Sequence, residues 1–340
     1  MSYQERPALA VVGTGSWGVV LACHAAALGH RVTLLARTAA EADALRAAGA
    51  SPRLPDVRFP PSLRVTAAAH QAGAAPVVLL VVPAQTMDDN VRQLAPHLGA
   101  TQVLVSASKG LEIGSLRRMS QVIAAAAPHI PPEQICALSG PNLAREVAAR
   151  KPSLSVVAGR SLAAAEAVQA LFTAPHFRLY TSTDVVGVEL AGALKNVIAL
   201  AAGMCDGLSA GDNAKAALIT RGLAEMARLG KALGAEPLTF SGLAGIGDLV
   251  ATCASPLSRN RTTGERLARG ESLDAIATDL RQVAEGVPTT RAVRALAQRH
   301  AVELPIADLV HEVLFNQMPI LQAGMALMQR DPKRELEGII

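Results

Sequence analysis

Apolar residues fall into two kinds of pattern along this chain, and the change from one to the other divides it. In the first half the apolar runs are short and unbroken. Ala8–Val12 (ALAVV), residues 31–36 (RVTLLA), 76–82 (PVVLLVV) and 102–106 (QVLVS) are the clearest. Residues 134–138 and 154–157 are weaker candidates. Runs of this kind suit strands buried on both faces of a parallel sheet. Between the first two lies GTGSWG, followed by VVLACHAAALG, which reads as a helix ending at Gly29. Strand, glycine turn, helix and strand make one βαβ unit. From about Asp184 onward the pattern becomes helical, over residues 185–203, 213–234, 262–270, 289–299 and 307–315. The expected architecture is an α/β Rossmann-type parallel-sheet domain over residues 1–184, followed by an all-α domain over 185–340.

The glycine turn adds chemistry to that frame. In Gly13-Thr14-Gly15-Ser16-Trp17-Gly18 the first glycine permits a tight turn. The second lets the backbone approach a pyrophosphate, and the third lets helix and strand pack closely. Free N–H groups at the helix start then face the phosphate charge. A strand before it and a helix and strand after it make the turn a dinucleotide site. The second strand ends Leu35-Ala36-Arg37, and no acid follows until Glu41. A carboxylate there would repel a ribose 2′-phosphate and an arginine attracts one. NADP(H) is therefore the expected cofactor, with NAD(H) as a second.

Two residues break the helical pattern of the second half. Lys195 lies in ELAGALKNVIAL, a segment apolar nearly all round. Burial there depresses a lysine's pKa unless an anion compensates, which suits an acid/base working between alcohol and ketone. Its alternative is a lysine snorkelling to the helix edge. Asp248 stands in the glycine-rich apolar segment GLAGIGDLVATC, as a partner for Lys195, as a helix cap, or as both. Ser258-Arg259-Asn260 before a helix could cradle a phosphate or simply cap. Lys109 follows the strand QVLVS, where open α/β sheets place ligands.

Bulk properties exclude more than they add. The formal charge is only +4 over 340 residues, with no basic block, so nucleic acid is not an expected partner. Cys23, Cys136, Cys205 and Cys253 show no CxxC spacing and read as buried free thiols. The eight histidines form no metal-binding spacing, and no metal is expected. The opening MSYQERPALAVVG lacks signal-peptide character, and the most apolar stretch carries Glu189 and Lys195. A cytoplasmic protein without membrane insertion is expected.

Several segments together resemble the NAD(P)-dependent glycerol-3-phosphate dehydrogenase family of bacterial type. They are GTGSWG at 13–18, SASKG at 106–110, LSGPNLAREVA at 138–148 and ELAGALKNVIALAAG at 189–203. GDLVATC at 247–253, SRNR at 258–261 and VAEGV at 283–287 complete the set. The resemblance implies reversible reduction of dihydroxyacetone phosphate to sn-glycerol 3-phosphate, for glycerophospholipid synthesis, with Lys195 as acid/base. It implies cofactor contacts from Ser16, Trp17, Arg37, Lys109, Ala144, Arg259, Val283 and Glu285. It implies a substrate site of Lys109, Gly140, Asn142, Lys195, Asn196, Asp248, Thr252, Ser258, Arg259 and Asn260. A homodimer is compatible with it. The chain departs from the family at Val19-Val20 and in the loop Ser51-Pro52-Arg53-Leu54-Pro55, which puts that loop's part in binding adenosine in doubt. A β-hydroxyacid dehydrogenase of similar architecture and a non-catalytic NADPH sensor are the alternatives.

Overall fold

The computed structural model describes residues 8–280, 284–332 and 334–335. The chain forms two compact units. The first holds the described residues up to Ser108 together with Met119–Val185. The second holds Lys109–Arg118 and the described residues from Val186 onward.

Ten strands lie in the first unit: β1 (Ala8–Val12), β2 (Arg31–Leu35), β3 (Ala50–Ser51), β4 (Leu54–Arg58), β5 (Leu63–Thr66), β6 (Val77–Leu80), β7 (Val103–Ser106), β8 (Ile135–Ser139), β9 (Ser153–Gly159) and β10 (Phe177–Ser182). Eight of them form one sheet in the order β10-β9-β8-β7-β6-β1-β2-β5, while β3 and β4 make a separate hairpin. The sheet is parallel except where β9 runs antiparallel to β8. β10 is parallel to β9, so these two strands run against the rest. The expected parallel sheet is present, and the reversal at its β9-β10 end is a detail that apolar runs do not encode, because strand direction is a property of connections.

Seven helices belong to this unit: α1 (Ser16–Ala27), α2 (Ala39–Ala48), α3 (Ala69–Gly73), α4 (Met87–Leu94), α5 (Met119–Ala126), α6 (Ala144–Ala148) and α7 (Leu162–Phe172). The sheet separates two apolar cores. In β1, Leu9 and Val11 join the core containing α1 and α7 residues, such as Leu21 and Phe172. Ala10 and Val12 join the other, containing Met87, Val91, Val122 and Ile123 from α4 and α5. Covering both faces is what makes the strand runs continuously apolar.

The second unit is helical: α8 (Val185–Gly207), α9 (Asp212–Ala232), α10 (Asp248–Ala254), α11 (Arg259–Ala268), α12 (Leu273–Leu280), α13 (Gly286–Arg299), α14 (Pro305–Asn316) and α15 (Ile320–Met328). α8 is long and apolar enough to cross a bilayer, yet 94% of its most apolar window is buried inside the protein. It is a core helix. α11 lies against it without intervening side chains. A Cβ on Gly264 would fall 2.0 Å from the Leu200 carbonyl oxygen, and one on Gly203 would fall 1.9 Å from that of Arg261. Buried Glu225 of α9 accepts from the backbone N–H groups of Ile306 (2.7 Å) and Ala307 (3.3 Å), capping the start of α14.

Candidate active site

In the first unit the glycine turn carries β1 into α1. Gly13 has φ +110, and a Cβ on it would lie 2.4 Å from the Val81 carbonyl oxygen. A Cβ on Gly18 would lie 2.1 Å from the Gly13 carbonyl oxygen. Both must be bare for strand and helix to close together. Gly15 differs, because a Cβ there meets nothing within 4 Å. Its open side lies at the start of α1, which has neither a side-chain cap nor an acid in its first turn. Uncapped N–H groups beside open space fit a pyrophosphate. Trp17 packs edge-on against Phe177, centroids 6.3 Å apart, which anchors the first turn beside Ser16.

Arg37, at the end of β2, is exposed. The structure also brings a carboxylate there that the linear reading set aside. Glu41 accepts from the Thr14 hydroxyl (2.5 Å) and from the Arg37 N–H (3.1 Å). Its own N–H donates to the Thr38 hydroxyl at the N-cap of α2 (3.2 Å). The legible signal was Thr38-x-x-Glu41, a capping-box spacing that folds an acid back onto the strand end. Arg53, in the departing loop, donates to the Thr14 carbonyl oxygen at 3.5 Å, so that loop also reaches the turn.

Beyond β8, Gly140 has φ +144 and a Cβ on it would lie 2.9 Å from the Ser155 Cα. Asn142 Oδ1 accepts from the Ser155 hydroxyl at 2.7 Å. Its Nδ2 is buried without a partner among the described residues, a donor set up for something the chain does not supply. Ala144 begins α6.

In the second unit four predicted residues form one hydrogen-bonded group. Lys195 Nζ lies 2.7 Å from Asp248 Oδ1 and 2.6 Å from Thr252 Oγ1. Lys109 Nζ lies 2.7 Å from the other oxygen, Asp248 Oδ2. Lys195 comes from the middle of α8. Asp248 and Thr252 stand one turn apart on α10, which follows a turn at Leu243–Gly247 kinked at Gly245. A Cβ on Gly245 would lie 2.0 Å from the Phe240 carbonyl oxygen, so that turn is sterically confined. Asp248 is 1% exposed and Lys195 6%. Snorkelling is thereby excluded. Burial pulls the Lys195 pKa from 10.5 down to about 8, with Lys109 pulling the same way and Asp248 opposing. Neighbouring Cys253 is buried too, which pushes its thiol up to about 12.

Asn196 and Asn260 form a second group. Asn260 Nδ2 donates to Asn196 Oδ1 at 2.9 Å, and Asn260 Oδ1 accepts from the Gly286 N–H at 2.9 Å. These bonds tie α8, α11 and the start of α13 together. Ser258 is the N-cap of α11, accepting from the Arg261 N–H at 3.3 Å, so the capping reading of Ser258 holds. Arg259 is exposed at the helix's first position. Glu285 immediately precedes α13. Val283 lies outside the described residues. Among the described residues no cluster of three metal-ligating side chains occurs. Cys23, Cys136 and Cys253 are buried free thiols, while Cys205 is partly exposed.

Comparison with known proteins places these features. The N-terminal part of the NAD-dependent glycerol-3-phosphate dehydrogenase family matches residues 8–165, and its C-terminal part matches residues 184–324. A glycerol-3-phosphate dehydrogenase [NAD(P)+] of Parafrankia sp. is 53% identical over 328 residues, covering 96% of this chain and 98% of that protein. One from Geobacter metallireducens is 49% identical, with the same coverage of both chains. A crystal structure of glycerol-3-phosphate dehydrogenase from Coxiella burnetii superposes with a TM-score of 0.91 at 35% identity, covering 96% of this chain and 99% of that one.

Proposed function

The chain belongs to the NAD-dependent glycerol-3-phosphate dehydrogenase family, and on that premise we propose that it reduces dihydroxyacetone phosphate reversibly to sn-glycerol 3-phosphate, with Lys195 as the acid/base. The observation that carries the reading is a buried lysine bonded to a buried carboxylate that a second lysine also binds. When bound, the nicotinamide cofactor supplies a hydride to the carbonyl carbon, or takes it back in oxidation.

The side chains account for the proton. In its ammonium form Lys195 donates to the carbonyl oxygen while that oxygen gains negative charge, giving the alcohol and a neutral amine. In the reverse direction the amine takes the hydroxyl proton. A pKa near 8 keeps both forms accessible around neutral pH. Asp248 and Thr252 hold Nζ in place, and Lys109 adds positive charge that favours the alkoxide. The start of α11, with Arg259 exposed there and Ser258 capping, suits the phosphate end. Glycerol 3-phosphate made in this way in the cytoplasm is a precursor for glycerophospholipids.

For the cofactor, Arg37 supports a preference for NADPH over NADH. Glu41 stands close by, but its oxygens are engaged by Thr14 and the Arg37 N–H. That leaves the Arg37 guanidinium to meet a 2′-phosphate. The exposed row Leu321, Met325 and Met328 on α15 supports self-association as a homodimer.

The direct test mixes purified protein with dihydroxyacetone phosphate and follows NADPH absorbance, then repeats with NADH. Rapid NADPH oxidation, faster than with NADH, is expected. NADPH binding without oxidation would discard the substrate.

A further inference from the structure

The ten residues Lys109–Arg118 follow β7 and precede α5, yet they belong to the helical unit. They form a small closed loop. Leu111 and Arg118 pair as an antiparallel bridge. The Glu112 N–H donates to the Arg117 carbonyl at 3.0 Å. The Arg117 guanidinium lies 2.7 Å from the Glu112 carboxylate. Leu111 is fully buried, so the bridge stands at the inner edge of the loop. Lys109 stands two residues before Leu111, and Arg118 is the residue that pairs with Leu111 across the bridge.

Arg118 is paired with Glu189 in the second turn of α8. Their side chains are 14% and 5% exposed, so this is a nearly dry ion pair and not a solvated surface contact. Glu189 precedes Lys195 by six residues, about 9 Å along the helix. The helix that carries Lys195 therefore also carries the anchor for the loop that carries Lys109. Both lysines reach Asp248 from that arrangement, one on each carboxylate oxygen.

From this geometry we infer that Arg118 and Glu189 are positioning residues: their ion pair latches the loop to α8, holds the Lys109 ammonium on Asp248, and so sets the proton affinity of Lys195. The inference rests on Lys195 being the acid/base of the proposed reaction. The charged or titratable groups acting on Lys195 are Asp248 and Cys253 from α10 and Lys109 from the loop. Asp248 raises the Lys195 pKa, Lys109 lowers it, and Cys253 acts in the raising direction. Releasing Lys109 removes a lowering influence. The Lys195 pKa then rises, and ketone reduction, which needs the ammonium, persists to higher pH.

Two readouts test the latch, one of them independent of turnover. Glu189→Gln keeps side-chain volume and removes the charge. Arg118→Gln removes the partner charge from the more accessible side, with a shorter side chain, and serves if the first variant does not fold. Arg118→Lys keeps the cation. Trace acetic anhydride labels lysine amines, and peptide mass spectrometry compares Lys109 with exposed Lys151 as the internal standard. In the two Gln variants Lys109 should label several-fold faster relative to Lys151. Their turnover should fall about 10-fold or more, since small misplacements at a reacting centre are costly, and the alkaline limb of the reduction should move to higher pH. Arg118→Lys should stay close to wild type in both. Unchanged Lys109 labelling in the Gln variants overturns the inference. So does lower turnover with an unmoved alkaline limb, which would mark a merely structural pair. If the wild-type protein fails to reduce dihydroxyacetone phosphate, the reaction reading falls, and the labelling still decides whether the latch holds Lys109.

Discussion

The glycine turn of the first unit and the lysine group of the second both manage charge, by opposite means. The turn itself supplies no charged side chain to the start of α1, and Glu41 and Arg53 reach it only at Thr14. It offers backbone N–H groups beside an open Gly15 and keeps α1 uncapped. The lysine group crowds two ammonium groups onto one carboxylate and buries that carboxylate almost completely. A phosphate arrives with its charge already present, and fixed dipoles in open space are enough to receive it. Charge on a reacting carbonyl oxygen exists only during the reaction. A mobile proton in a dry site meets it, at a desolvation cost visible in the lowered Lys195 pKa.

The comparison can be broken most sharply at Lys195. Lys195→Ala should lower turnover ~10²–10⁴-fold while leaving NADPH affinity, measured by fluorescence titration, close to wild type. Near-normal turnover would remove the lysine group from the chemistry. Asp248→Asn should cost on the order of 10²-fold and move the pH profile as well. Without the carboxylate, burial and Lys109 both push the Lys195 pKa below about 8. Ketone reduction, which needs the ammonium, would then fail at lower pH than in wild type. Alcohol oxidation, which needs the amine, would hold to lower pH. Both limbs should therefore move to lower pH together, and limbs that move in opposite directions, or not at all, would contradict the assignment.

The turn is tested with smaller effects. Arg37→Asp should move the NADPH-to-NADH ratio of kcat/KM toward NADH by about 10–100-fold, the loss expected of one charge-assisted contact. An unchanged ratio would transfer that role to another residue, with Arg53, which reaches the Thr14 carbonyl, as a candidate. Gly15→Ala should weaken NADPH binding about 10-fold with an unchanged melting temperature, because the added methyl meets open space. A large loss of stability would mean that Gly15 is structural, like Gly13 and Gly18.

The two sites were also unequally legible in the sequence. The turn is local: six consecutive residues between a strand and a helix declare it, and β1, β2 and α1 follow from apolar runs. The lysine group joins residues 109, 195 and 248. By pattern alone Lys195 and Asp248 stand out as charges in apolar surroundings, the family resemblance groups them with Lys109, and no spacing rule shows that both lysines share one carboxylate. Glu41 stands four residues beyond Arg37 along the chain, and only the α2 cap, which folds it back to the end of β2, shows its nearness in space. The reversal of β9 and β10 was hidden for a similar reason, since a strand buried on both faces reads the same in either direction. Glu189 was noticed only as a charge that spoils a membrane span. Its partner at Arg118 lies in a loop with no periodicity to interpret.

The contact between α8 and α11 works as a gauge block. Gly203 and Gly264 each face a carbonyl of the opposite helix, so main chain rests on main chain and no side-chain rotamer can alter the spacing. Lys195 rides on one member, and the start of α11, proposed to meet the substrate's phosphate, belongs to the other. On that proposal a three-carbon substrate spans a fixed distance, and a methyl added at either glycine would force the two backbones apart by something like an ångström, enough to cost roughly 10²-fold at a reacting centre. Selectivity for chain length would then be machined into the backbone, out of reach of the substitutions that usually retune a pocket.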